Sequence, residues 1–98
     1  MSTRTAQAPP FDLDVAYELH PQVSVRPERF GALLYHFGTR RLTFLKTPAL
    51  HAVVRSLASQ PSARAACVAA GLSDVELPAY SRALAALAAG RMIRARRP

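Results

Sequence analysis

The residues that could take part in catalysis or metal binding are few and widely spaced in this chain. The three histidines are His20, His36 and His51, at separations of 16 and 15 residues. No two of them have the i, i+4 spacing that places two metal ligands on one face of a helix. The only cysteine, Cys67, cannot provide a thiolate cluster, and among its neighbouring alanines we interpret it as a small buried hydrophobe. The histidines are therefore interpreted as structural or surface residues.

Two other patterns that can accompany catalysis, paired acidic residues and clustered glycines, do not indicate an active site here. The nearest acidic pair, Asp12 and Asp14, follows a polar N-terminal stretch, where a rigid acid–base arrangement is difficult to hold. The four glycines, at positions 31, 38, 71 and 90, do not form a phosphate-binding loop. The sequence thus predicts a protein that is not an enzyme and that holds no cofactor or metal ion.

Net charge is the most prominent feature of the composition. Thirteen basic residues against six acidic ones give a net charge of +7, and twelve of the basic residues are arginines. Such an excess indicates an acidic partner, with nucleic acid as the first class to test. Four of the last eight residues are arginine, and we interpret this C-terminal segment as a solvated tail.

Length and composition predict one small domain. The chain has 98 residues, half of them apolar, which is typical of a single globular unit. Residues 1–10 are polar and end in two prolines, so we predict a flexible tail there and one domain over 11–95. The first ten residues contain no apolar run, so we expect no secretion signal there. No apolar stretch reaches the roughly 20 residues that span a membrane. We therefore expect a cytoplasmic protein without a membrane partner.

The first half of the chain predicts strands. Residues 11–46 hold six of the seven aromatic side chains. Alternation predicts a strand over 22–26, and apolar runs predict two more over 32–37 and 41–46. The glycine-containing stretch 38–40 is typical of a hairpin connection. Together these segments predict a three-stranded antiparallel meander.

The second half, which holds most of the alanines, predicts helices. Thr47 as N-cap and Pro48 at the first helical position begin helix one. Its apolar face consists of Leu50, Val53, Val54 and Leu57. Helix two begins after Ser62 and ends at Gly71, which suits a helix C-terminus.

Helix three has two competing start signals. Ser73 and Glu76 match a capping box, but Pro78 cannot donate a helical hydrogen bond. We predict a first turn over 73–77, a main helix over 78–89 that Gly90 stops, and a short extended piece at 92–94. Its buried stripe is predicted to be Tyr80, Leu84 and Leu87. The fold class is therefore α+β and winged-helix-like, a three-stranded meander followed by a three-helix bundle.

The outward side chains of helix three indicate whether the protein could bind DNA. In a winged-helix regulator this helix would enter the major groove. Its outward positions are predicted to be Ser81, Arg82, Ala85, Ala86 and Ala89. Base edges are read mainly by charged and amide side chains, and Arg82 is the single one in this set. Nucleic acid is therefore a disfavoured partner, and a DNA-binding regulator is kept as the alternative function.

An alanine-lined helix beside a strand edge has another use, because it can accept an extended peptide as an added strand. The strand at 41–46 is an edge of the predicted meander, with unpaired N–H and C=O groups. Arg40, Arg41, Lys46 and Arg82 would make its surroundings positive. This charge favours an acidic peptide as the partner.

Three segments of the chain resemble a known family. They are RPERFGALLYHFGTRRLTFLKTP at 26–48, YSRALAAL at 80–87 and GRMI at 90–93. These segments are similar to the mycofactocin-system peptide chaperones, which belong to the PqqD-like group of precursor-peptide recognition elements. The resemblance covers about residues 11–95, the domain predicted above.

The resemblance implies a non-catalytic binder of a ribosomally made precursor peptide. Such a protein presents the peptide to a radical S-adenosylmethionine enzyme during biosynthesis of a redox cofactor, mycofactocin. In related recognition elements the peptide lies as an extra strand between the third strand and the third helix. Carried over to this chain, the implied peptide-binding residues are Arg40, Arg41, Leu42, Thr43, Phe44, Leu45, Lys46, Tyr80, Arg82 and Leu84.

Overall fold

A computed structural model describes residues 11–96 of the chain. The strands are β1 (Tyr17–Leu19), β2 (Val23–Glu28), β3 (Gly31–His36), β4 (Arg41–Leu45) and β5 (Ile93–Ala95), and the helices are α1 (Pro48–Ser56), α2 (Ala63–Ala69) and α3 (Leu77–Ala89). A 3₁₀ turn, Leu57–Ser59, follows α1. The flexible tail predicted for residues 1–10 lies outside the described part. Within 11–96, no helix combines the length and the apolar character needed to cross a membrane.

The predicted meander is confirmed. Strands β2, β3 and β4 form an antiparallel sheet in that order. Gly31, at the start of β3, lies so close to β4 that a Cβ there would be 2.1 Å from the Leu45 carbonyl oxygen. Its φ of +156° is also rare for residues with a side chain. Glycine is therefore required where β3 meets the end of β4.

A second, two-stranded sheet was not predicted. β1 pairs antiparallel with β5, with Tyr17 opposite Ala95 and Leu19 opposite Ile93. The short extended piece expected at 92–94 is β5, but its partner was missed. Each strand has three residues, too few to show an alternating pattern, and more than seventy residues separate them. Only the tertiary structure brings the two segments together.

The interpretation of the C-terminal arginines as a solvated tail is wrong for the described residues. The Arg94 side chain donates to the Glu18 carboxylate across the β1–β5 ribbon, at 2.8 Å. The Arg96 guanidinium donates to the carbonyls of Ala58 and Gln60, the latter at 2.6 Å. The Arg94 bond joins β5 to β1, and the Arg96 bonds attach the C-terminal segment to the end of the 3₁₀ turn.

α1 and α2 begin at the predicted caps, whereas the N-cap of α3, Glu76, makes no side-chain capping bond. The Thr47 hydroxyl accepts from the Leu50 N–H at 3.0 Å, and the Ser62 hydroxyl caps α2 in the same way. Glu76 reaches back to the Ser73 N–H at 2.9 Å, as the capping box predicts. The residues between them form a turn, and α3 begins at Leu77.

α3 ends at Ala89 with Gly90 as its C-cap, as predicted, but the chain turns at the next residue. Gly90 has an ordinary φ of −84°, whereas Arg91 adopts the left-handed conformation with φ of 63°. The Met92 N–H then donates to the Leu87 carbonyl at 2.8 Å, the bond that closes a Schellman turn. Arg91, not Gly90, is therefore the residue at which the chain reverses.

The core lies between the inner face of the β2–β3–β4 sheet and the three helices. Leu34 and Leu45 from the sheet, Val53 from α1 and Leu84 from α3 are all fully buried. Cys67 on α2 is also fully buried, and burial raises the pKa of its thiol. Its interpretation as a small buried hydrophobe is confirmed. This core holds β4 and α3 side by side.

Candidate functional site

The edge of β4 is open. β4 pairs with β3 and with no other strand of residues 11–96. The position of Gly31 shows that the Leu45 carbonyl faces β3. Since main-chain groups alternate in direction along a strand, those of Leu42 and Phe44 face the open edge. Two N–H donors and two carbonyl acceptors are thus presented side by side.

A groove of about 430 Å³ lies between this edge and α3. One wall consists of Thr43, Phe44, Leu45, Lys46, Thr47 and Leu50, and the other of Ala79, Tyr80, Ala83, Ala86 and Leu87. The two walls approach each other where the hydroxyl oxygens of Thr47 and Tyr80 lie 3.4 Å apart. An open strand edge therefore faces an apolar trough along α3.

The α3 wall has small side chains because of its alanine spacing. Ala79, Ala83 and Ala86 recur at intervals of four and three residues, which places them on one side of the helix. Of the outward positions predicted from the sequence, Ala86 is the one that lines the groove. With methyl groups along this wall, the main chain of a ligand can approach the helix closely. The alanine-lined face exists, but it is rotated relative to the prediction.

The structure brings together half of the residues implied by the resemblance. Thr43, Phe44, Leu45, Lys46 and Tyr80 line the groove. The remaining five, Arg40, Arg41, Leu42, Arg82 and Leu84, do not.

These five residues have different surroundings. Arg40 lies in the β3–β4 turn, and Leu42 is exposed at the strand edge. Arg41 borders a separate recess near Arg91, beyond the end of α3. Arg82 is exposed on another side of α3. Leu84 is fully buried in the core, so its side chain is out of reach of a ligand in the groove.

Several groove residues were missed as candidates. Thr47 and Leu50 were assigned to capping and packing of helix one, and Ala79 and Ala83 were not singled out. Thr47 does cap α1, and the same hydroxyl also lies at the groove. The sequence contains no local sign that the start of α1 lies opposite α3, because their contact depends on how the helices pack.

The charged side chains of β4 and of the residues next to it in the chain are all positive. No acidic residue occurs between Glu28 and Asp74 in the sequence. Arg41 and Lys46, at the two ends of β4, are both exposed. An anionic group placed near either end of the groove would therefore meet uncompensated positive charge.

Two histidines that seemed scattered in the sequence lie together. The rings of His20 and His36 have centroids 4.5 Å apart, and His36 is buried. The His36 Nδ1 accepts from the N–H groups of Gly38 and Thr39, at 3.0 and 3.1 Å, which orders the β3–β4 turn. No third metal-ligating residue joins them within residues 11–96. His36 thus has a structural role in this turn, and the proximity of the two histidines was not predicted from their spacing.

Sequence comparison assigns the chain to a family. The profile of the peptide chaperone MftB family matches residues 16–94. The chain belongs to this family. Its members are chaperones, so the expectation of a protein that is not an enzyme is confirmed, as is the resemblance to mycofactocin-system peptide chaperones.

Similar proteins named peptide chaperone MftB come from three mycobacteria. The protein of Mycobacterium ulcerans (strain Agy99) is 57% identical over 88 residues, which cover 90% of this chain and 81% of the relative. That of Mycobacterium tuberculosis (strain ATCC 25618 / H37Rv) is 52% identical, covering 92% and 83%. That of Mycolicibacterium smegmatis (strain ATCC 700084 / mc(2)155) is 53% identical, covering 95% and 91%. No solved structure matches the chain.

Proposed function

We propose that the groove between β4 and α3 binds an extended segment of a ribosomally made precursor peptide as an additional strand beside β4. The observation that carries this proposal is the open edge of β4 facing the alanine wall of α3. Membership in a family of peptide chaperones supports a peptide as the partner. A strand added here would extend the three-stranded sheet to four.

Main-chain hydrogen bonds would supply much of the affinity. Leu42 and Phe44 present two donors and two acceptors to the incoming strand. Each such bond contributes roughly 0.5–1.5 kcal/mol net, so four contribute roughly 2–6 kcal/mol. These contacts are independent of peptide side chains, and specificity must come from the groove and the charges around it.

The groove sets the side-chain pattern expected of the peptide. Successive side chains of a strand point to opposite faces, so every second one would enter the trough beside Ala79, Ala83 and Ala86. Apolar residues suit these positions. Carboxylates just outside them would lie near Arg41 or Lys46, at the ends of β4. The expected ligand is an acidic peptide with alternating apolar residues.

The larger role follows from the family. We infer that the chain presents the bound peptide to a radical S-adenosylmethionine enzyme during mycofactocin biosynthesis in the cytoplasm, and that its fold is winged-helix-like and PqqD-like. The segment at 26–48 and the family match support this role. The DNA-binding alternative has no observation in its favour, since Arg82 is the single charged side chain on α3.

Calorimetry with a synthetic precursor peptide tests the proposal. Ala86→Phe places a ring in the groove at an exposed position, so the fold can accept it. We expect the wild type to bind at micromolar concentrations and the variant to bind at least about tenfold more weakly, a loss of about 1.4 kcal/mol. Ala69→Phe is the matched control, because Ala69 is exposed on α2 and does not line the groove. Equal binding by wild type and Ala86→Phe would contradict the proposal, as would no binding by the wild type.

A further inference from the structure

The side of the β2–β3–β4 sheet that faces away from the helices is apolar. Side chains alternate along each strand, and Ala32 and Leu34 of β3 are fully buried on the inner side. Leu33 and Tyr35 therefore lie on the outer side. Leu33 is opposite Phe44 and Tyr35 is opposite Leu42 in the strand register, which places these four side chains on one face.

Two aromatic residues in the turns extend this surface. The Phe30 ring lies 5.9 Å from the Phe44 ring, and the Phe37 ring lies 5.1 Å from the Tyr35 ring. We call the whole surface the outer aromatic face; it consists of Phe30, Leu33, Tyr35, Phe37, Leu42 and Phe44. Four of its side chains are strongly exposed: Phe37 at 61%, Leu42 at 56%, Phe44 at 53% and Phe30 at 43%. Contiguous apolar exposure of this kind marks an interaction surface.

The charges around the outer aromatic face are almost all positive. Arg29 precedes Phe30 in one turn, and Arg40 lies in the turn that contains Phe37. Arg26, opposite Leu33, is paired with Glu28 at 2.8 Å, so the one carboxylate of this sheet is already engaged. A second copy of the chain docked by twofold symmetry would bring like charges together, which is unfavourable. The surface is instead complementary to an apolar patch bordered by carboxylates.

The outer aromatic face is continuous with the peptide groove through β4. A peptide strand added to β4 would direct every second side chain into the groove and the others onto the outer side, next to Phe44 and Leu42. A partner that covers this face would contact the chaperone and its peptide together. Such a partner can distinguish the loaded chaperone from the empty one.

We propose that the outer aromatic face is the docking surface for the enzyme that modifies the peptide, a folded protein that presents an apolar patch bordered by carboxylates. This inference rests on the function proposed above, since it assigns a second surface to the same delivery step. It predicts that the enzyme binds the peptide-loaded chaperone more tightly than the empty chaperone. It also predicts that the affinity for the enzyme falls as ionic strength rises.

The test uses the full chain and the purified radical S-adenosylmethionine enzyme from the same genome. In Phe30→Ser/Phe37→Ser, both changes lie in turns outside the groove lining. We expect its affinity for the enzyme to fall at least about tenfold, while its affinity for the peptide stays within about twofold. Val68→Ser/Val75→Ser is the matched control, because it removes two apolar side chains elsewhere that are at least as exposed.

A charge-reversal variant provides a second test in case the double substitution reduces the stability of the fold. Arg29→Glu, beside the outer aromatic face, is expected to weaken enzyme binding several-fold at low salt. Arg55→Glu, exposed on α1, is the control and is expected to have no such effect. Unchanged enzyme binding by both Phe30→Ser/Phe37→Ser and Arg29→Glu would overturn the proposal. A wild-type dimer that becomes monomeric in the double variant would also overturn it, because a second copy would then cover the face.

The two proposals fail separately. Ala86→Phe is expected to lose the peptide but to bind the enzyme as well as the empty wild type does. If Ala86→Phe retains the peptide, the groove assignment fails and enzyme docking on the outer aromatic face stands. If Phe30→Ser/Phe37→Ser and Arg29→Glu both retain the enzyme, the docking surface fails and the groove assignment stands.

Discussion

Replacement of Gly31 by alanine is expected to disrupt the strand that borders the groove. The added methyl carbon would lie 2.1 Å from the carbonyl oxygen of Leu45 and 2.8 Å from that of Thr47. Both are main-chain atoms, so neither can rotate away. To reach an ordinary contact of about 3.5 Å, the end of β4 must move by about 1.4 Å relative to β3.

The cost of Gly31→Ala follows from two separate effects. Forcing an extra methyl group into a packed region costs about 1–3 kcal/mol. Holding a residue with a side chain at the φ of Gly31, +156°, adds of order 1–3 kcal/mol. The lower bound of about 2 kcal/mol already lowers the melting temperature of a domain of this size by roughly 8–16 °C. Because Leu45 and Thr47 line the groove, peptide affinity is expected to fall as well.

Thermal unfolding followed by circular dichroism, together with peptide calorimetry, measures both effects. Gly90→Ala is the control, since a Cβ there would lie 3.5 Å from its nearest neighbour and φ is −84°. It is expected to change stability by less than about 1 kcal/mol. If Gly31→Ala melts within about 2 °C of the wild type, the close approach of β3 and β4 inferred here is wrong.

Three further predictions test other parts of the structure. Phe44→Pro removes a main-chain N–H donor that faces the open edge of β4, and it is expected to weaken peptide binding more than about tenfold. The variant must retain the circular dichroism spectrum of the wild type, so that the loss is not caused by unfolding. Unimpaired binding would refute strand addition. The pKa of His20 is lowered by burial, then by the nearby His36 and two arginines, so the unfolded chain takes up its proton first. The contribution of His20 to stability is therefore complete above the ordinary pKa of 6.5 and is lost as the pH falls through the lowered pKa of the folded state. The wild type is expected to melt at a lower temperature at mildly acidic pH than at neutral pH, and His20→Gln is expected to make this difference smaller. Arg96→Ala removes two hydrogen bonds to carbonyls and is expected to lower the free energy of unfolding by about 1–3 kcal/mol. Arg94→Ala removes an exposed ion pair and is expected to lower it by less than about 1 kcal/mol. Denaturant unfolding of the two variants compares these losses, and equal stabilities would contradict this ranking.

Local signals in the sequence were sufficient for much of the fold. Thr47 followed by Pro48 predicts where α1 begins, because both the hydroxyl acceptor and the missing N–H act within a single turn. The same holds for Ser62 at α2 and for the hairpin between β3 and β4. Each of these features depends on residues a few positions apart, and the edge position of β4 follows from the meander alone.

Features that depend on distant packing could not be predicted. The β1–β5 ribbon joins two three-residue strands, and the contact between His20 and His36 depends on the turn that links β1 and β2. The helix period predicted the burial of Leu84 correctly. It could not show which of the remaining sides of α3 faces β4, because that rotation is set by how the whole helix packs on the sheet.

The β1–β5 ribbon has a consequence for how this domain can be joined to other chains. The Arg96 N–H donates to the Ala16 carbonyl at 2.9 Å, so the last of the described residues lies beside the start of β1. A domain with adjacent ends can be placed within a surface loop of a host protein, or closed by a short linker and reopened elsewhere, without distorting its interior. The groove and the outer aromatic face lie on other elements, so both would stay accessible. The domain can therefore be inserted into another protein through two adjacent connections.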